Sequence, residues 1–528
     1  MKLLRSSLVF SFFTLLSRLA GFARDALQAS LFGAGPAVSA FVVAYRIPNY
    51  LRRIFAEGSF ASAFVPVLSE LRQKGDQKAL QDFLDHIAGA LLAAVVVVTG
   101  LGMLLSPLLA RLFLILAGDH GAQTELVADM LRITFPYLTF ISMTALAGSV
   151  LNSFRHFGLP AFAPVLHNLS VIFAMLVLAR YFAVPEKALA FGVVIAGAAQ
   201  MLLLWPAMRR LGVMPRFRFN RQHEGVKRVF KLMLPTIFSS SVAQINLLVG
   251  TIFAAALAVQ AQSWLYYSDR LVEFPLGLFG VAIGTVILPH LSARFADTDH
   301  AGFAAAMNWG LRAVLLIAIP AAVGLASVAE PLTATLFGYG KFKAEDVQMT
   351  AISVQMMCLG IPAFMASKVL LPAFYARQDT RTPMRIAVHT VIANVVLTIL
   401  IVTPLWKLGV PRAHAGIACA TAMAGTLNAW WLYRNLRQQG LYIAGTDLHR
   451  FALKAMLAAV AMAIALHVLR PLVGDLMALH WSNRLLACLC LVAAGALVFT
   501  LCGLAFGIRA RDLREPVSKA DPATRVEQ

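Results

Sequence analysis

Charge is what this chain has least of. Charged residues make up 13% of its 528 positions, about half the share usual in a soluble domain. Acidic residues are scarcer still: 25 Asp and Glu stand against 45 Lys and Arg, a formal net charge of +20. That scarcity excludes a soluble globular protein. Hydrophobic residues fill 59% of the chain and mean hydropathy is +0.75, which predicts an all-α polytopic membrane protein. No extramembrane stretch is long enough to fold as a basic domain, so nucleic-acid binding is not predicted. The positive excess fits loop bias and attraction to anionic headgroups, with membrane lipids as partners. Cysteine is also scarce. Cys358, Cys419, Cys488, Cys490 and Cys502 are odd in number and all lie in apolar runs. No Cys/His spacing suits a metal, so they read as small hydrophobes, and neither metal nor cofactor is expected. A G-x-x-x-x-G-K-[ST] loop is missing, which argues against direct ATP use.

What is present is long apolar runs. A run of about 20 residues can span a bilayer. Fourteen such candidates occur, the first at 6–32 and the last at 483–507. The first two are the least hydrophobic, and a window average would undercall them. Gly33-Ala34-Gly35-Pro36 separates them, since Pro suits the first turn of a new helix. Lys2, Arg5 and the apolar run after them look like a signal peptide. Arg18, Arg24 and Asp25 interrupt the region and no clear cleavage site follows, so an uncleaved first helix is expected. Arg and Lys cluster in alternate connections, most densely from Arg209 to Lys231. That asymmetry predicts both termini in the cytoplasm. The 209–231 connection also carries Phe217, Phe219 and Phe230. It reads equally as an interfacial segment on the headgroups or as a plain positive linker.

The chain repeats itself. Pro66-Val-Leu-Ser69 recurs 223 positions on as Pro289-His-Leu-Ser292, and Pro136 and Asn168 recur as Pro362 and Asn394. Six spans separate the copies, so both begin on the same side. This predicts two parallel-repeat six-helix lobes, at 1–208 and 226–434, joined by a basic linker at 209–225. Two extra helices at 435–507 and a cytoplasmic tail at 508–528 follow. Folds of this kind bind substrate between the repeats near the midplane and rock to expose it alternately.

Against that apolar background, Ser17 to Ser59 stands out. It holds Arg18, Arg24, Asp25, Arg46, Arg52, Arg53 and Glu57. One arginine at a helix centre costs roughly 2.5–3.5 kcal/mol on insertion scales. So many predict a wet, cationic cavity and an anionic ligand. Ser17 and Arg24 share a helical stripe, as do Arg18 and Asp25. Asp25, next to Arg24, is placed to hold or tune an arginine. Arg46, Asn49, Arg53 and Glu57 fall on one face, and Arg53 and Glu57 are spaced to pair. Arg52 lies about 100° away without such a partner, so Arg52 is taken as the ligand-facing guanidinium. Pro48 should kink this helix. Farther on, Asp269, Arg270 and Glu273 form a second charged group, with Ser263 a weaker lining candidate. Arg270 has two readings, facing the cavity or snorkelling outward. Guanidinium forks suit phosphate, and several together suit a diphosphate. Long apolar surfaces elsewhere suit a lipid chain.

Three segments carry a resemblance. They are Ser17-Arg-Leu-Ala-Gly-Phe-Ala-Arg-Asp25, Arg46-Ile-Pro-Asn-Tyr-Leu-Arg-Arg-Ile-Phe-Ala-Glu-Gly-Ser-Phe60 and Tyr267-Ser-Asp-Arg-Leu-Val-Glu-Phe-Pro275. With Pro160-Ala-Phe-Ala-Pro164 and Tyr375-Ala-Arg-Gln-Asp379, they resemble the MurJ/MviN lipid II flippase family of the multidrug/oligosaccharidyl-lipid/polysaccharide exporter superfamily. The resemblance covers essentially the whole chain. It implies export of lipid II, an undecaprenyl-diphosphate-linked peptidoglycan precursor, across the bacterial inner membrane by alternating access. It also implies that the last two spans shape a lipid-tail groove. Arg18, Arg24, Arg52 and Arg270 match positions the family uses in its central cavity. Where the family commonly has an acid, Ser39 stands. Asn246 and Asn394 come without a carboxylate, so no sodium site is expected.

The chain is therefore expected to be a transporter and not an enzyme. The membrane potential is its candidate energy source, and cell-wall synthesis proteins are candidate partners. The nearest rival is a flippase for another polyprenyl-diphosphate-linked oligosaccharide. A drug antiporter would want carboxylates in the cavity. A membrane glycosyltransferase would need an acidic metal or nucleotide-sugar site at a membrane face, and a scaffold would not need the arginines.

Overall fold

The computed structural model describes residues 2–55, 58–117, 121–220, 222–277 and 281–509. Among the described residues there is no β-strand; the regular structure is all helix. Its first ten helices are α1 (Lys2–Phe32), α2 (Pro36–Phe55), α3 (Gly58–Gln73), α4 (Gln77–Leu104), α5 (Ser106–Phe113), α6 (Gly121–Thr134), α7 (Pro136–Ser153), α8 (Gly158–Phe173), α9 (Lys187–Arg210) and α10 (Glu224–Leu257). The others are α11 (Ala261–Pro275), α12 (Val281–Ala296), α13 (His300–Ser327), α14 (Ala329–Phe337), α15 (Ala344–Cys358), α16 (Ile361–Tyr375), α17 (Arg381–Lys407), α18 (Ala415–Gln438), α19 (Thr446–Leu469) and α20 (Trp481–Ala505).

Nine helical stretches among the described residues are long and apolar enough to cross a membrane. The pair α15 and α16, bent by 43°, makes a tenth if taken as one span. Helices fill the other four predicted spans (α1, α10, α11 with α12, and α18) without meeting that measure. The chain is a multi-pass membrane protein, but length and apolarity alone do not reach fourteen. Several predicted spans are also broken where one continuous run was read. Proline explains two of the breaks, because it lacks the N–H that continues a helix and suits a first turn. Pro136 opens α7 and Pro362 sits in the first turn of α16.

The sequence repeat is visible in the anatomy of the helices. α3 and α12 have 16 residues each and carry Pro66 and Pro289 inside. α4 and α13 have 28 residues each, and each starts on an aspartate cap, Asp76 or Asp299. Asp297-Thr298-Asp299 has the D-x-D spacing of nucleotide-sugar enzymes, but Asp299 is engaged otherwise. Its Oδ1 accepts the Gly302 N–H at 2.8 Å and its Oδ2 the Arg294 guanidinium at 2.9 Å. The Gly302 N–H, helped by Arg294, holds this carboxyl below the usual carboxylate range.

Packing divides the chain into two compact units, 1–263 with 339–343, and 264–338 with 344–528. The packing boundary falls one helix later than the repeat boundary, because α10 packs on α2, α3, α4 and α5. In the first unit, Phe60, Phe64 and Phe83 stack at the centre of a core drawn from α3, α4, α7 and α10. Segment 339–343 docks on the end of α1, where the Lys341 N–H donates to the Ser30 carbonyl at 2.9 Å. Gly33 and Gly340 make that approach possible. Both have positive φ, and a Cβ on Gly340 would lie 2.2 Å from the Ser30 oxygen.

The basic connection after α9 is held in place by the first unit. It runs without helix along α4. Asp85, only 3% exposed, accepts the Arg216 N–H at 2.8 Å on Oδ1 and the Arg218 N–H at 3.1 Å on its carbonyl. Gln81 Nε2 donates to the Met214 carbonyl at 2.9 Å and to Asp85 Oδ1 at 2.7 Å. Gly89 leaves room for the strand, since a Cβ there would lie 2.2 Å from the Arg218 oxygen.

In the second unit, α19 packs against α13 and α20 against α19. Ala455, Ala459 and Gly495 keep those faces small, as helices packing in lipid require. Their other faces expose Leu453, Leu457, Ile464, Leu486, Leu489 and Leu497. Lipid tails can cover such surfaces where water could not. The five cysteines are free thiols. Residues 510–528 of the expected tail lie outside the described residues.

Candidate functional site

The site in the first unit is built on α1. Arg24 and Asp25 lie in mid-helix, and Asp25 is 3% exposed. A carboxylate cannot stay ionised there without donors. Arg24 supplies two: its Nε and Nη2 donate to Asp25 Oδ1 at 3.0 and 2.7 Å. Its Nη1 reaches across to α8 and donates to Asn168 Oδ1 at 3.0 Å. Asn168 in turn donates through Nδ2 to the Ser17 carbonyl at 3.0 Å and to the Pro164 carbonyl at 3.2 Å. Ser17 and Arg24 thus lie on one stripe of α1, and Asn168 bridges them. Gly21 sits between them, with Asn168 Nδ2 3.6 Å from where its Cβ would be. Arg18, on the same helix, is half-buried.

The second helix contributes Arg46, Asn49, Arg52 and Arg53. Pro48 lies buried inside α2 and cannot donate to the Ala44 carbonyl one turn back. The Thr134 hydroxyl of α6 donates to that carbonyl instead, at 3.5 Å. Arg52 Nε donates to Asn49 Oδ1 at 3.0 Å. Arg52 was expected to lack an acidic partner of the Arg53–Glu57 kind; its bond to Asn49 is to an amide. Asn49 orients the Arg52 guanidinium from one turn back on the same helix. Arg53 is exposed. The expected Arg53–Glu57 pair is not described, because Glu57 lies outside the described residues. Arg46 is turned toward α10, donating to Thr251 Oγ1 and, at 3.2 Å, to the Leu247 carbonyl.

His167, adjacent to Asn168, lies within electrostatic reach of both Arg24 and Arg52. Ring contacts link α2 to α8 through α7: Phe41 stacks on Tyr45 at 5.7 Å, Tyr45 lies 6.2 Å from Tyr137, and Tyr137 lies 5.9 Å from His167. Ser39 and Ser263 are both buried and share a hydroxyl hydrogen bond of 2.8 Å. Ser263 is thus closed into that pair.

In the second unit, Arg270 Nη1 pairs with Glu273 Oε2 at 3.0 Å, and its guanidinium lies 5.1 Å from the Tyr266 ring centre. Asp269, its neighbour, is half-buried. Asn168, His167 and Tyr137 were absent from the sequence-derived site. A polar amide in an apolar span was the available signal for Asn168. Chemically, α1 and α2 present fork donors held by neighbours, an arrangement suited to an oxyanion with several oxygens.

Comparison with known proteins accords with this. The family described as "Lipid II flippase MurJ" matches residues 28–482. The chain is 39% identical over 513 residues to a protein of Haemophilus influenzae named "Probable lipid II flippase MurJ", covering 95% of this chain and 99% of that one. It is 40% identical over 473 residues to the "Lipid II flippase MurJ" of Burkholderia cenocepacia, covering 88% and 90%. A solved lipid II flippase MurJ in an inward closed conformation matches with a TM-score of 0.77 at 25% identity, covering 94% of this chain and 98% of that one. An inward-facing multidrug transporter of the MATE family matches at 0.66 and 14% identity, covering 80% and 95%, which shows the fold alone.

Proposed function

The chain belongs to the lipid II flippase MurJ family, and on that premise we propose that it moves lipid II from the inner to the outer leaflet of a bacterial inner membrane. The observation that carries the reading is the pair of arginine helices beside α8. Arg24 is fixed by Asp25 and Asn168, and Arg52 is oriented by Asn49. In the proposed mechanism Arg18, Arg24, Arg52 and Arg270 take the diphosphate, and the two six-helix lobes rock to expose it to one side and then the other. The exposed apolar faces of α19 and α20 carry the polyprenyl tail. Both termini lie in the cytoplasm, which the basic connections support. A membrane potential, inside negative, favours outward movement of an anion by about 2.3 kcal/mol per charge per 100 mV.

The test is outer-leaflet lipid II in cells whose only flippase is this chain, at matched protein level. Arg52→Lys keeps the charge and loses the planar fork, so export is expected to fall about tenfold. Arg52→Ala should fall further. Unchanged export in both variants would overturn the arginine mechanism.

A further inference from the structure

Three side chains outside the proposed cavity come together where α4 meets the start of α10. Asp82 and His86 stand four residues apart on α4, one above the other on the same face. His223, which caps α10, is brought beside them from the end of the basic connection. The three residues offer one ligand atom each, all within 4.8 Å of one another. We propose that Asp82, His86 and His223 bind a divalent transition-metal ion of the zinc class.

The geometry supports this in three ways. First, both imidazoles address one carboxylate. His223 Nε2 lies 3.2 Å from Asp82 Oδ2, and His86 Nδ1, which bonds the Asp82 backbone carbonyl at 2.8 Å, lies 3.4 Å from Asp82 Oδ1. The two rings stack with centres 4.7 Å apart and planes at 21°, so their nitrogens reach a shared point with small rotations. Second, the donor set is right. Two imidazole nitrogens and one carboxylate oxygen form the three-ligand set of zinc sites that leave a position to water. Third, the site is open to entry. The Asp82 side chain is 49% exposed, while those of His86 and His223 are 14% and 20% exposed. His86, His223 and Asp82 therefore combine a held framework with a reachable ligand.

Binding exchanges one set of contacts for another. In the present arrangement His223 Nδ1 accepts the Val226 N–H at 3.4 Å, so its ring proton sits on Nε2 and faces Asp82. A metal on Nε2 takes the place of that proton, which moves to Nδ1. The Val226 bond given up is long and weak; a metal on His86 Nδ1 also displaces its 2.8 Å bond to the Asp82 carbonyl, and that ring proton moves to Nε2. The metal would then staple the first residue of α10 to α4, beside the Asp85 clamp on Arg216.

The experiment uses the full chain in detergent, freed of affinity tag and treated with chelator, and titrates it with zinc by calorimetry and with cobalt by absorption. One zinc per chain is expected, with a cobalt ligand-field spectrum and a raised melting temperature. His86→Ala should weaken zinc at least about tenfold. His223→Asn is the sharper variant, since Asn keeps a cap acceptor for α10 while removing the imidazole. It should fold as the parent does and lose the zinc-dependent rise. Absence of saturable zinc binding, or equal binding by the parent and both histidine variants, overturns the site.

Discussion

Replacing Arg24 with alanine abolishes outward lipid II movement and also weakens the fold. Asp25 is left buried without the guanidinium that carries its charge, and breaking a buried pair from one side costs about 3–5 kcal/mol. Asn168 loses its cross-helix donor at the same time. The two effects separate in a second variant. Arg24→Ala with Asp25→Asn removes the orphaned charge, so most of the thermal stability in detergent returns, whereas export stays absent. Recovery of export in the double variant would show that Arg24 is structural only and would remove it from the proposed diphosphate site. The comparison works because Asp25 is addressed by Arg24 from the next residue, and both variants lose the bond to Asn168 on α8 equally, so they differ only in the buried charge.

The second large effect falls at Arg484, in the first turn of α20. The residue is 7% exposed, and its guanidinium is surrounded by backbone oxygens. Nη1 donates to the Gly338 carbonyl at 2.6 Å and the Ala334 carbonyl at 3.4 Å, Nη2 to Met477 at 2.6 Å, and Nε to Leu479 at 2.9 Å. Ala334 and Gly338 lie at the C-terminal end of α14, where the Ala334 carbonyl already accepts the Gly338 N–H at 3.0 Å and the helix dipole favours a cation. Arg484→Ala strands several of these acceptors at once. Hydrogen bonds to charged groups contribute about 1.5–3 kcal/mol each, so a loss of about 3 kcal/mol is expected, read as a lowered melting temperature of the purified protein. Arg484→Lys should recover only part, because a single ammonium cannot reach acceptors arranged around a fork. A melting temperature equal to the parent's in both variants would remove this role.

Arg484 also marks the limit of reading charge from sequence. Standing at the start of the last apolar run, it reads as a span-end charge, and nothing in its neighbours distinguishes a guanidinium at a surface from one buried among carbonyls. The helices themselves were legible. Apolar runs located them to within a few residues, and Pro66, Pro136, Pro289 and Pro362 exposed the repeat. The Arg24–Asp25 pair was legible too, because its partners are adjacent and its stripe is local. Asn168 was not, since its role depends on α8 crossing α1 from 144 residues away. The course of the basic connection was hidden for another reason. Side chains suggested a surface segment, but the holding bonds come from the backbone N–H groups of Arg216 and Arg218, which every residue but proline possesses.

That docking changes what the connection means to a protease. Arg209, Arg210, Arg216 and Arg218 offer a dense set of tryptic sites, and such an exposed, polar stretch is where nicking usually begins. Cleavage needs the strand lifted out so that an extended segment can enter the enzyme. With Asp85 and Gln81 gripping it, the strand is accessible only when the clamp opens, so trypsin nicks there report the opening of the clamp and not the number of arginines.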